Sequence, residues 1–145
     1  YESQHGPITL AREIQFLNDY IELEKIRYDA RLELRFVHSV EEPERPIMPL
    51  MLVPLVENAF KHGASETTDK AFIHIELRQK ENGLTFVVEN TFEQNSTSEI
   101  REGIGLKNMR RRLELLYPNF DLRTHALGNR FKARLSLTLH HEHEP

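Results

Sequence analysis

At 145 residues, with 39% hydrophobic and 29% charged side chains, the chain has the size and composition of one globular domain able to bury its own core. A net charge of −4 with no long basic block argues against a nucleic-acid surface, and the short run Arg110-Arg111-Arg112 does not alter that. The lack of cysteine excludes a disulfide framework and thiol chemistry, and no apolar stretch approaches the ~20 residues that a membrane-spanning helix needs.

The chain opens on Tyr1-Glu2-Ser3-Gln4 without an initiator methionine, which we read as a piece of a longer protein. Pro7-Ile8-Thr9 predicts a helix start with Thr9 as N-cap, and Leu10, Ile14, Leu17 and Ile21 give that helix one apolar stripe as far as about residue 28. Leu32, Leu34 and Phe36 alternate with charges, the period of a strand. Residues 41–49 hold three prolines and read as loop; 49–62 read as a helix, with Pro54 either kinking it or lying in its first turns. After a polar loop over 63–70 come strands over 72–77 and 84–89, joined at Glu81-Asn82-Gly83 as a hairpin. Residues 91–102 are polar and aperiodic, and read as a lid with few apolar anchors. A helix over 105–117 ends before Pro118, and 122–127 and 130–139 form a last hairpin about Gly128-Asn129. This order predicts an α+β fold, a two-layer α/β sandwich with helices on one face of a mostly antiparallel mixed sheet.

The densest chemistry lies in Pro54-Leu55-Val56-Glu57-Asn58-Ala59-Phe60-Lys61-His62-Gly63. Asn58, Lys61 and His62 stand at i, i+3 and i+4, so a helix brings amide, ammonium and imidazole together, while Leu52, Leu55, Val56 and Phe60 form the packed back. Such a face can hold a phosphate and its metal. The plainer alternative is a solvated helix face that ends in a glycine C-cap. A second motif, Gly103-Ile104-Gly105-Leu106-Lys107-Asn108, leads into a helix whose apolar stripe is Leu106, Met109, Leu113 and Leu116. Glycines there allow positive φ and close approach of backbone to a ligand, and a helix start offers unpaired N–H groups to an anion.

Together these segments resemble the catalytic and ATP-binding domain of sensor histidine kinases, in the LytS-like branch of the GHKL ATPase superfamily. Residues 48–63 look like that branch's N box, 103–113 like its glycine-rich G2 box, and 16–28 like the segment that joins dimerisation helices to the ATP domain. The resemblance implies a Bergerat-type fold, with residues 1–28 as the end of the linker region, 29–139 as the ATP-binding domain and 140–145 as a tail. It implies ATP and Mg2+ as cofactors. Asn58 would bind the metal, Lys61 would neutralise phosphate charge, and His62 would contact phosphate or lid. Gly103, Gly105, Leu106 and Asn108 would border the phosphates. Glu57, Asn58 and Lys61 are the candidate catalytic residues.

Three departures from the family pattern qualify the expectation. Pro54 stands where many of these ATPases carry a water-activating carboxylate, and Glu57 is rotated about 100° from Asn58 around the helix. That argues against hydrolysis more than against transfer to a histidine. Asn90 stands where the family places the Asp that reads the adenine amino group, and Phe92 replaces a glycine. An Asn carbonyl accepts the same bond without charge assistance. None of the eight histidines has the context of a phosphoacceptor, which is expected on dimerisation helices upstream. The implied partners are those helices, a response regulator and a second copy in a full-length homodimer. The implied setting is a cytoplasmic domain of an inner-membrane protein, touching the membrane only through upstream segments. The alternative is a nucleotide-binding pseudokinase or docking module without turnover. The tail His140-His141-Glu142-His143 reads as disordered rather than as a metal site.

Overall fold

The computed structural model describes residues 6–28, 31–64, 70–92 and 103–139. In chain order the elements are β1 (Ile8–Thr9), α1 (Leu10–Lys25), β2 (Leu32–Val40), β3 (Pro46–Ile47), α2 (Val53–Ala59), a π-helical turn (Phe60–Ala64), β4 (Ala71–Lys80), β5 (Gly83–Thr91), α3 (Ile104–Leu116), β6 (Asp121–Leu127) and β7 (Arg130–Thr138). Five strands form one mixed sheet in the order β2-β4-β5-β7-β6. Only the β2–β4 pair is parallel.

Period-two alternation decides which face of this sheet is covered. Ile73, Ile75 and Leu77 of β4, Leu84, Phe86 and Val88 of β5, and Ala133, Leu135 and Leu137 of β7 are all buried. They face the helices, while Glu76, Arg78, Glu89, Lys132 and Arg134 lie on the opposite, open face. The helices close the second layer with Leu10, Leu17 and Ile21 of α1, Leu55 and Val56 of α2, and Leu106, Met109 and Leu113 of α3, in one shared core. The stretch before residue 28 therefore packs into the same core as the sheet. Thr9 caps α1, its hydroxyl accepting from the Arg12 N–H at 3.1 Å.

The hairpins turn where the sequence marks them. Gly128, at φ 62°, supplies the left-handed residue between β6 and β7. Between β4 and β5 that conformation falls on Glu81, at φ 53°. The buried Arg45 side chain holds this turn, donating to the Glu81 carbonyl at 3.2 Å and to Asn82 Oδ1 at 2.6 Å.

Several expectations are corrected. The loop expected over 41–49 contains β3, which pairs with β1 through Ile8↔Ile47 and Thr9↔Pro46; a two-residue ladder leaves no periodic trace in the sequence. α1 stops at Lys25 rather than near 28. The helix expected over 49–62 starts only at Val53, because Leu50 sits at φ 58° and Pro54, lacking an N–H, belongs in the first turn. Beyond Ala59 it widens into the π-helical turn, which runs through Gly63. The strands β4 and β5 outrun their apolar cores by pairing as far as Lys80↔Gly83. The lid expected within 91–102 begins on Thr91, the last residue of β5, and on Phe92, which is buried against Phe131; the rest of it and the tail 140–145 lie outside the described residues.

Candidate functional site

A cleft of about 410 Å³ opens between α2 with its π-helical turn on one side and the start of α3 on the other. Its lining includes Glu57, Asn58, Lys61 and His62 from the first wall and Gly103, Ile104, Gly105 and Leu106 from the second. Its volume lies within the roughly 300–1,000 Å³ of small-molecule sites. The first wall is rigid at its back, since Leu55, Val56, Ala59 and Phe60 are all buried in the core. Asn58 and His62 are half-buried, and Glu57 and Lys61 are exposed. Among the described residues the Asn58 amide makes no side-chain hydrogen bond, so its oxygen can serve as a ligand.

At the second wall, Gly103 and Gly105 act by leaving space. Positive φ, anticipated for these glycines, occurs at neither: among described glycines it occurs at Gly6 and Gly128. A Cβ built on Gly103 or Gly105 would meet nothing within 4 Å. α3 starts on Gly103 without a side-chain cap, and Lys107 N–H bonds the Gly103 carbonyl at 3.1 Å. The first N–H groups of α3 therefore have no capping side chain.

Gly63 has the opposite job. It has no left-handed backbone, so it is no αL cap; it is buried, and a Cβ on it would come within 2.8 Å of Asn90 Nδ2 and of the Thr91 carbonyl. The π-helical turn thus lies directly on the end of β5. Asn90 is 1% exposed beneath it, its Nδ2 donating to the Thr91 carbonyl at 2.8 Å. Among the described residues its Oδ1 accepts no bond, which is costly for a buried amide unless a partner arrives.

Asn58, Lys61, His62, Gly103, Gly105, Leu106 and Glu57 are therefore gathered around one cleft. Asn90 lies beside it under Gly63 and is not among its lining residues. Asn108 is exposed and is not among the residues that line the cleft; it stands one turn beyond Ile104 along α3. Sequence reasoning overlooked Tyr20, which reaches the cleft from α1. Its ring packs edge-on to Phe60 at 5.9 Å. Burial, then the carboxylates of Glu24 and Glu57 and the neighbouring Tyr28, hold the Tyr20 hydroxyl above its usual range, so it remains a neutral donor. Its signal was its position, three residues after Leu17, on the flank of the apolar stripe.

The sheet order and the layer of helices give the fold of histidine kinase catalytic domains. The catalytic domain of histidine kinase ThkA has a TM-score of 0.65 at 18% identity, covering 94% of this chain and 97% of that one. ThkA in its complex with the response regulator protein TrrA has a TM-score of 0.60 at 17% identity, covering 95% of this chain and 42% of that one. No protein-family model matches the chain. In sequence, the sensor histidine kinase BtsS of Escherichia coli (strain K12) is 30% identical over 106 residues, which are 73% of this chain and 19% of that protein. The chain belongs to the sensor histidine kinases, as a GHKL-type catalytic domain of the LytS-like branch. It spans about a fifth of the length of that relative.

Proposed function

We propose that this domain binds ATP with Mg2+ in the cleft between α2 and α3 and donates the γ-phosphoryl group to a histidine on the dimerisation helices of the full-length protein. The observation that carries the reading is the gathering of Asn58, Lys61, His62, Gly103 and Gly105 around one cavity. The donor set suits the ligand: Asn58 offers Mg2+ a hard, neutral oxygen, and Mg2+ bound there would draw charge from the phosphate oxygens. Lys61 brings a positive charge to the same wall, His62 a ring nitrogen, and the open glycines leave the α3 N–H groups reachable. Asn90, with its buried unpaired oxygen, is the candidate reader of the adenine amino group. Transfer to an imidazole needs positioning and charge stabilisation but no water-activating base, so Pro54 in the wall is no obstacle.

Relay to a response regulator follows from the family and is supported by the ThkA complex with TrrA. Among the described residues no helix is long and apolar enough to cross a membrane. We place the domain on the cytoplasmic side of a protein anchored elsewhere in its length, acting as a homodimer.

Calorimetric titration with ATP tests the reading. The parent should bind, and bind more tightly with Mg2+. Asn58→Ala should lose the Mg2+ increment, and in the full-length kinase should lose autophosphorylation. An Asn58→Ala kinase that autophosphorylates like the parent would sink the assignment.

A further inference from the structure

The five residues that lead into α2, Met48 to Leu52, are held by side chains from elsewhere in the fold. Leu50 adopts φ 58°, a left-handed conformation that is strained for any residue with a Cβ and persists only when its surroundings impose it. Three side chains from two other helices and their flanks impose it. From α1, Glu13 is fully buried, and its two carboxylate oxygens accept separately from the Leu50 N–H at 2.8 Å and the Leu52 N–H at 3.0 Å. From α3, Arg112 donates to the carbonyls of Pro49 at 3.1 Å and Leu50 at 3.2 Å. Beyond the end of α3, the Tyr117 hydroxyl accepts from the Met48 N–H at 2.9 Å. α2 itself has no side-chain cap; Glu13, from another helix, instead takes the N–H of its N-cap residue Leu52.

The turn is therefore a fixed point shared by three helices. α2 is only seven residues long and carries Asn58 in its last turn. A displacement at its start passes along a rigid rod to the cleft wall. Arg112 lies on the same helix whose first turn forms the opposite wall. We propose that Glu13 and Arg112 are positioning residues of the cleft: by holding the strained turn at Leu50 they set where α2 delivers Asn58 relative to Gly103 and Gly105. The inference rests on the nucleotide reading of the cleft for its functional readout, but not for its structural one.

Glu13→Gln tests it, because the amide keeps the shape but sets an NH2 against one of the two N–H donors. The variant should keep the parent's circular dichroism. The Leu50 and Leu52 amides should exchange with solvent at least about tenfold faster, while those of β5 stay as in the parent. Mg2+–ATP should bind roughly tenfold more weakly, the equivalent of about one hydrogen bond. Adding Leu50→Gly, which removes the penalty of the left-handed backbone, should restore most of that affinity. A role confined to general stability predicts no such rescue. Unchanged Leu50 and Leu52 exchange with unchanged affinity would overturn the proposal, as would a double variant that regains stability but not affinity. If Glu13→Gln fails to fold, Arg112→Lys, which can keep one of the two carbonyl bonds, takes its place in the same measurements, and the same two results would overturn the proposal. A parent that binds no ATP would refute the proposed function instead, and the exchange of Leu50 and Leu52 would then decide the clamp.

Discussion

Gly63→Ala is the sharpest test of how the cleft is built. The added methyl would stand 2.8 Å from the Thr91 carbonyl oxygen and 2.8 Å from Asn90 Nδ2, where ordinary contact begins at 3.4 Å. The Asn90 amide could turn away, but the Thr91 carbonyl is backbone at the end of a strand, with Thr91↔Arg130 as its last register pair. The π-helical turn must therefore lift from β5 by more than half an ångström. Overpacking of this kind costs about 1–3 kcal/mol. For a domain of this size that is roughly a 2–12 °C loss in melting temperature. Gly105→Ala is the matched control. It has open space around its Cβ and helical surroundings, so its stability should hold or rise by the helix propensity of alanine, up to about 1 kcal/mol, and its melting temperature with it. Its effect should fall on ATP affinity, since the methyl takes room in the cleft. Thermal melts by circular dichroism, with calorimetry beside them, read both. A Gly63→Ala protein that melts with the parent would refute the close-approach argument.

Asn90→Leu should weaken ATP binding by about 1–3 kcal/mol, the cost of a lost buried partner, whereas Asn90→Asp should hold or tighten it; equal ATP affinity in the leucine variant and the parent would place the adenine contact elsewhere. Leu17→Ala, in a side chain with no exposed surface, should destabilise the domain by about 2–5 kcal/mol in urea unfolding, and a loss well below that range would mean that α1 is peripheral to the core. Burial holds the Glu13 carboxyl above its usual range, outweighing the backbone bonds from Leu52, Leu50 and Met51 and the charge of Arg112. A raised folded pKa gives a contribution that is complete below the unfolded value and is lost as pH rises through the folded one. The stability advantage of the parent over Glu13→Gln should therefore shrink as pH rises above about 4.3, and an advantage that grows with pH would contradict the direction of the shift.

The parts of the fold with a strong period were legible in the sequence. Leu52, Leu55, Val56 and Phe60 were read as the buried back of the N-box helix, and all four are buried. The hairpins about Glu81-Asn82 and Gly128-Asn129 were legible because turn residues punctuate alternating runs. The parallel pairing of β2 with β4 was not, since register between distant strands leaves no local mark. The start of α2 was misplaced because nothing in Met48-Pro49-Leu50-Met51 announces a leucine with left-handed backbone; that conformation comes from Glu13, 37 residues before Leu50. In the site, Asn58, Lys61 and His62 could be grouped from helical spacing alone. Tyr20 could not, because its approach to the cleft depends on how α1 docks. Gly63 was visible as a glycine, but its reason was not, for only the packed structure shows Asn90 and Thr91 in the space a methyl would take.

The stacking around Phe60 gives the molecule an optical property. The chain has no tryptophan and four tyrosines, so tyrosine dominates its ultraviolet emission. Two of the four, Tyr20 and Tyr28, lie against Phe60 with ring centroids 5.9 Å away in each case, and Tyr20 also lines the cleft. A molecule that enters the cleft changes the polarity around that ring, and a shift of α1 changes its distance from Phe60. The unlabelled protein thus carries a spectroscopic gauge at the junction between α1 and the wall that holds Asn58.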